Sequence, residues 1–240
     1  MTVLHAEWTK VRTVPGTAWL LLGVVTLTVL LGALAAGSMA FDADPAKSVL
    51  MGVALGQAIV VVLAVATVSG EYGTGMIRIT LTAMPRRLNV LAAKGVVVTC
   101  LTLVAALVAV VASLAAGELV MDDLALTAGM VRAAVGSVLY LALVALLSLG
   151  LAAVVRDAAA AVGVVLGLLY LTPIVTTLVA DPVWHDRLQK LSPMTAGLAV
   201  QATINMADQP IGPWQGLGVL AVWAAAALLL GGLTLRLRDA

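Results

Sequence analysis

Six stretches of this chain are long enough to cross a lipid bilayer and contain no Asp, Glu, Lys, Arg or His: residues 17–40, 48–69, 95–117, 133–155, 158–180 and 215–235. Crossing about 30 Å of hydrocarbon takes roughly 20 apolar residues at about 1.5 Å per residue. Lipid offers no partner to backbone N–H and C=O groups, so each run is expected to satisfy its own backbone as a helix. The pattern predicts an all-α polytopic membrane protein with six transmembrane helices. Of the 240 residues 62% are hydrophobic and 10% charged, against about 45–50% and about 25% in soluble domains. Too little polar sequence is left between the runs for a soluble domain, so residues 1–240 are read as a single transmembrane domain. Cys100, the one cysteine, excludes an internal disulfide and is expected to be a packed thiol.

An even number of spans puts both termini on one side, and the loops then sort by charge. Lys10, Arg12, Arg78, Arg86, Arg87, Lys94, Arg156, Arg236 and Arg238 share the terminal side, whereas Lys47, Arg132, Arg187 and Lys190 lie opposite. Nine against four predicts cytoplasmic termini by the positive-inside rule. Acidic residues follow the reverse bias, with Glu7, Glu71, Asp157 and Asp239 inside and eight outside, Asp42, Asp44, Asp122 and Asp123 among them. A cleaved signal peptide competes for the first run, since Lys10 and Arg12 precede it and Ala35, Ala36 and Gly37 end it. At 24 residues it exceeds the about 7–15 of a signal core, and it is read as a permanent helix.

Two connections are long. Residues 70–94, on the terminal side, hold Gly70, Glu71, Tyr72, Gly75, Met76 and Arg78, a short apolar run, and then Pro85-Arg86-Arg87. A short helix over 76–83, ended by Pro85, would present Arg78 to a soluble partner; the plainer reading is a basic loop that only fixes topology. Residues 181–214 carry Trp184, Pro193, Pro210 and Trp214 around an apolar stretch too short to span, which either dips into the outer leaflet or forms an ordinary external helix. At the N-terminus Leu4, Trp8 and Val11 fall on one helical stripe with Glu7 and Lys10 off it, the pattern of a helix lying in the membrane interface with Trp8, Lys10 and Arg12 as anchors.

Chemistry is sparse. His5 and His185 flank the spans and no carboxylate lies within one, which argues against intramembrane proteolysis and a metal site. Ion-coupled carriers use intramembrane acids or broken helices, and the spans offer Gln57, Tyr140, Tyr170, hydroxyls and Pro173. The chain has no Gly-x-x-x-x-Gly-Lys-Ser/Thr phosphate loop, so an ATP-driven role would need a separate ATPase. Gly52-x-x-x-Gly56 and Gly163-x-x-x-Gly167 have the spacing that lets helix backbones approach in lipid, and packing within the chain is the expected use of each.

Three polar blocks carry a resemblance: Glu7-Trp8-Thr9-Lys10-Val11-Arg12-Thr13; Glu71 and Tyr72 through Gly75, Ile77 and Arg78 to Pro85-Arg86-Arg87 and Ala92-Ala93-Lys94; and Val155-Arg156-Asp157 before a span that reaches Pro173. Together they resemble the membrane subunits of bacterial type-2 ATP-binding-cassette exporters, in particular small actinobacterial permeases. Met76 departs from the Thr common there. The resemblance implies an N-terminal amphipathic connecting helix, a cytoplasmic coupling helix between spans two and three, and short external or re-entrant helices before span six. It further implies a permease without an ATPase site, a second permease subunit, and an ABC ATPase that uses ATP and Mg. No cofactor would be bound by this chain, and the setting would be the bacterial cytoplasmic membrane. Glu71, Tyr72, Gly75, Met76, Arg78, Pro85, Arg86 and Arg87 would form the coupling loop, with Arg86, Arg87 and Lys94 held at anionic lipid. The cargo would be drug-like, peptide or lipid-like, and no nucleic-acid partner is expected. A membrane anchor that recruits a soluble partner is the rival reading; a channel or ion-coupled carrier is the third.

Overall fold

The computed structural model describes residues 3–38, 44–73, 87–121, 124, 126–204 and 209–237. Among these the regular structure is entirely helical. Six helices are long and apolar enough to cross a membrane: Pro15–Ser38, Pro45–Gly70, Leu88–Val120, Ala128–Val155, Ala158–Leu178 and Pro213–Leu237. They are spans one to six of a multi-pass membrane protein, preceded by a separate helix, Val3–Thr13.

The starts of these helices follow local chemistry. Asp44, Thr127 and Asp157 cap spans two, four and five by accepting backbone N–H groups of the first turn, and Pro45 stands just after its cap. Between spans four and five the chain reverses in two residues. Arg156 takes the left-handed conformation (φ 64°) that ends span four, Asp157 begins span five, and the Arg156 guanidinium donates to the carbonyl of Thr234 on span six at 3.1 Å.

Span four is the centre of the bundle and packs against spans two, three, five and six, while span one rests on spans two and three. Lipid is as apolar as these side chains, so association relies on close packing more than on apolar burial. Gly52 shows how: a Cβ there would overlap the carbonyl of Thr28, and one on Gly56 would overlap the Thr28 hydroxyl. Gly52 and Gly56 thus lie against span one, whereas Gly163 has open space around it and Gly167 meets Leu171 of its own span.

Two interruptions were not anticipated from the sequence. Span two begins as a short helix, Pro45–Val49, and resumes at Val53. Across the gap Met51, Val53 and Ala54 donate to the carbonyls three residues back, a tighter winding than the α-helix, at the place where span one comes closest. Span five widens into a π-turn at Gly167–Leu171 just before Pro173. Proline has no N–H and its ring crowds the carbonyl four residues back, so an extra residue in the turn relieves that position.

The connection before span six folds into the helix Pro182–Leu191, the helix Pro193–Leu198 and a 3₁₀ turn, Ala199–Gln201. The second of these, the re-entrant helix, turns back into the helix bundle. Ala196, Gly197, Val200 and Gln201 are buried, and a Cβ on Gly197 would run into the Tyr140 ring of span four. Two single-residue expectations need correction. Cys100 is exposed and lines a groove between spans three, four and six rather than being packed inside the bundle. Span three starts at Leu88 rather than at 95, which brings Lys94 into the bundle.

Candidate functional site

Gln57, in the middle of span two, is fully buried, and a buried amide in an apolar setting is held by hydrogen bonds or is very unfavourable. Its Nε2 donates to the carbonyl of Ala54 at 2.9 Å and approaches Sδ of Met194, on the re-entrant helix, at 3.3 Å. Its oxygen accepts from the Tyr140 hydroxyl of span four. The same Ala54 carbonyl also accepts from the Tyr170 hydroxyl of span five at 2.6 Å, and Tyr170 lies within the π-turn. Gln57 and Tyr140 each stand twelve residues in from the start of their helices at Pro45 and Ala128, roughly 18 Å along the axis. They therefore meet near the middle of a roughly 30 Å hydrocarbon layer.

Beside this cluster lies a cavity of about 730 Å³, within the roughly 300–1,000 Å³ of small-molecule sites. Span one contributes Leu31, Leu34, Ala35 and Ser38, span two Met51, Ala54 and Leu55, span five Tyr170, and the re-entrant helix Met194. Leu34, Met51 and Leu55 are exposed, so the cavity opens sideways from the bundle. Among the described residues the wall has no carboxylate, amine, guanidinium or imidazole; its polar features are the hydroxyls of Ser38 and Tyr170, with two thioethers. Such a wall accommodates apolar or amphipathic matter and offers nothing to neutralise a charge.

Above the cavity, on the face opposite the termini, Asp44 fastens two parts of the chain. Its carboxylate accepts from the backbone N–H of Ala46 at 3.1 Å and of Ile204 at 3.0 Å, and from both the N–H and the hydroxyl of Thr203. Partial burial pushes the carboxyl pKa up, but the Thr203 side-chain and backbone bonds, with those from Ile204 and Lys47, outweigh it and hold the group below its ordinary range. Next to it Gln201 donates to the Ser137 hydroxyl at 2.9 Å, and the Arg132 guanidinium donates to the carbonyl of Ala202. The exit of the re-entrant segment is thus tied to spans two and four. Of this group Asp44 and Arg132 entered the sequence reading only as outer-side charges. An Asp immediately before Pro45 was the available cue to a helix start.

On the terminal face, Glu7 turns into the bundle. It is 3% exposed and pairs with Lys94, 4% exposed, at 2.8 Å, and with Lys10 at 3.0 Å. Lys94 is therefore not held at lipid, because a carboxylate lies within its reach inside the protein. Leu4 and Trp8 are exposed on the outer side of the N-terminal helix, as is Arg12, and Val11 is half-buried, which leaves the Trp8 end free to sit among headgroups. Of the expected coupling loop, Glu71 and Tyr72 fall in the last turn of the helix Val53–Gly73, and Arg87 begins the helix Arg87–Val120. Gly75, Met76, Arg78, Pro85, Arg86 and the expected helix over 76–83 lie outside the described residues.

No family model matches the chain, and no curated protein matches it either.

Proposed function

We propose that this chain is the membrane-spanning permease subunit of an ATP-driven ABC exporter, working with a second permease subunit and a separate ATPase that binds ATP and Mg. In this reading both termini face the cytoplasm of a bacterial cell, and residues 71–87 receive the ATPase. The cargo is a drug-like, peptide or lipid-like compound. The observation that carries the reading is the run of span two. One uninterrupted helix, Val53–Gly73, has Ala54 and Leu55 in the cavity wall at one end and Glu71 and Tyr72 at the other. A push on residues 71–87 is delivered along that helix to the cavity, because a continuous helix transmits displacement along its axis. The uncharged wall supports an uncharged or amphipathic cargo.

The test is purification of the tagged protein in mild detergent, with identification of co-purifying subunits and measurement of their ATP hydrolysis. The reading expects an ATPase whose turnover depends on this subunit and rises with a transported compound, and it expects Arg78→Glu and Glu71→Lys to abolish that dependence. Recruitment of a soluble partner without turnover would instead make the chain an anchor. An ion-coupled carrier is a second reading, favoured by the π-turn and Pro173 that interrupt span five near mid-depth. Ion-driven flux in liposomes lacking any ATPase would establish it.

A further inference from the structure

On the terminal face, three helices meet at one ammonium group. Lys94 Nζ donates to Glu7 Oε2 at 2.8 Å and to the carbonyl of Thr67 at 3.0 Å. Thr67 stands in the last two turns of the helix Val53–Gly73, and Lys94 near the start of the helix Arg87–Val120. These helices are the two stems that carry residues 74–86 between them. Glu7 belongs to neither stem but to the N-terminal helix, which packs chiefly on span three.

A buried ion pair is a weak device for stability alone, since the desolvation of both ions offsets most of their attraction and an apolar pair of similar volume often does as well. It is a strong device for geometry. An ammonium carries three N–H donors, and here two of them lead to different helices.

We propose that Lys94 and Glu7 are positioning residues that clamp the N-terminal helix to both stems of the 74–86 segment, so that this helix moves with the two stems as one body. The inference rests on the permease reading, in which that segment is the part the ATPase drives. Without the clamp, an ATPase stroke would shift the stems and leave the interfacial helix behind.

The experiment follows hydrogen exchange in the full-length subunit with its co-purified ATPase, in lipid nanodiscs, with and without Mg-ATP and vanadate. In the wild type the nucleotide should change exchange in residues 3–13 and in residues 63–73 together. Glu7→Leu with Lys94→Met removes both members of the pair, and is expected to keep the nucleotide response in 63–73 while losing it in 3–13. The double variant should also lose about tenfold in protection over residues 3–13. Lys94→Arg, which keeps donors and charge, should behave as the wild type. If the double variant does not fold, Glu7→Gln decides in its place, with a weakened 3–13 response expected. Unchanged co-movement in the double variant, or in Glu7→Gln where that variant decides, overturns the clamp, as does a wild-type response confined to the stems. If no ATPase co-purifies, or nucleotide alters neither segment, the permease reading falls and takes the clamp's coupling role with it.

Discussion

The hydroxyl of Tyr140 donates to the side-chain oxygen of Gln57, and both side chains are fully buried. The bond joins span four, the centre of the bundle, to span two, one of the spans that line the cavity. Tyr140→Phe should destabilise the protein by about 1 kcal/mol, because it strands a buried amide oxygen. Adding Gln57→Leu should recover most of the loss, since both partners are then apolar. Denaturant titration of the purified protein measures both; a double variant less stable than the single would refute the pairing.

The two glycine pairs should respond differently to enlargement. Gly52→Val forces span two away from Thr28 and should cost about 1–3 kcal/mol, seen as a lower melting temperature in detergent. Gly163→Leu meets open space within the chain and should leave the melting temperature of the monomer unchanged. If it disrupts an oligomer instead, the Gly163 face lies between subunits.

Asp44 sets an acid limit. Its folded-state pKa is lowered from 3.8, so the contribution to stability is complete above the unfolded value and is lost as the pH falls through the folded one. Wild-type stability should therefore decline on acidification below about pH 4, and Asp44→Asn should flatten that decline. An equally steep decline in the variant would locate the acid sensitivity elsewhere.

At the turn between spans four and five, Arg156 holds a left-handed backbone that costs an ordinary residue about 1 kcal/mol. Arg156→Ala keeps that strain and loses the bond to the Thr234 carbonyl, whereas Arg156→Gly loses the bond and relieves the strain. Thermal unfolding should rank wild type above neither variant by more than about 2 kcal/mol, with Gly the milder change by about 1 kcal/mol.

Filling the cavity tests its use. Leu34→Trp adds bulk to a half-open wall on span one and should leave the fold intact while lowering compound-stimulated ATP hydrolysis by at least about tenfold, given that small-molecule sites bury most of their ligand. Undiminished stimulation would move the compound's path away from this wall.

The spans were legible because an uncharged apolar run of bilayer length has few other solutions in lipid. Their fine structure was not. The break at Leu50–Gly52 coincides with the close approach of Thr28 from span one, an approach that the Gly52-x-x-x-Gly56 spacing permits without marking a break. The inward turn of Glu7 is similar: helical spacing put it off the apolar stripe, and only the tertiary position of Lys94, 87 residues away, explains why the carboxylate is buried. Lys94 lay just beyond the apolar run of span three and so read as an anchor. Gln57, Tyr140 and Tyr170 were visible as the rare polar groups of the spans, yet their convergence depends on the π-turn, which Pro173 alone did not foretell. Met194 joined them without any signal in its own segment.

The re-entrant helix also dictates an order of assembly. Pro193–Leu198 is far too short to be inserted into a membrane as a span of its own, and its packing surfaces belong to span four, made earlier, and span six, made later. A Cβ on Gly216 of span six would overlap the carbonyl of Ala196, so the two backbones lie against each other. During synthesis, then, residues 193–201 must wait outside the hydrocarbon until span six has been threaded. Nascent chains stopped just before Pro213 should leave this segment open to protease, and those released after Leu237 should protect it.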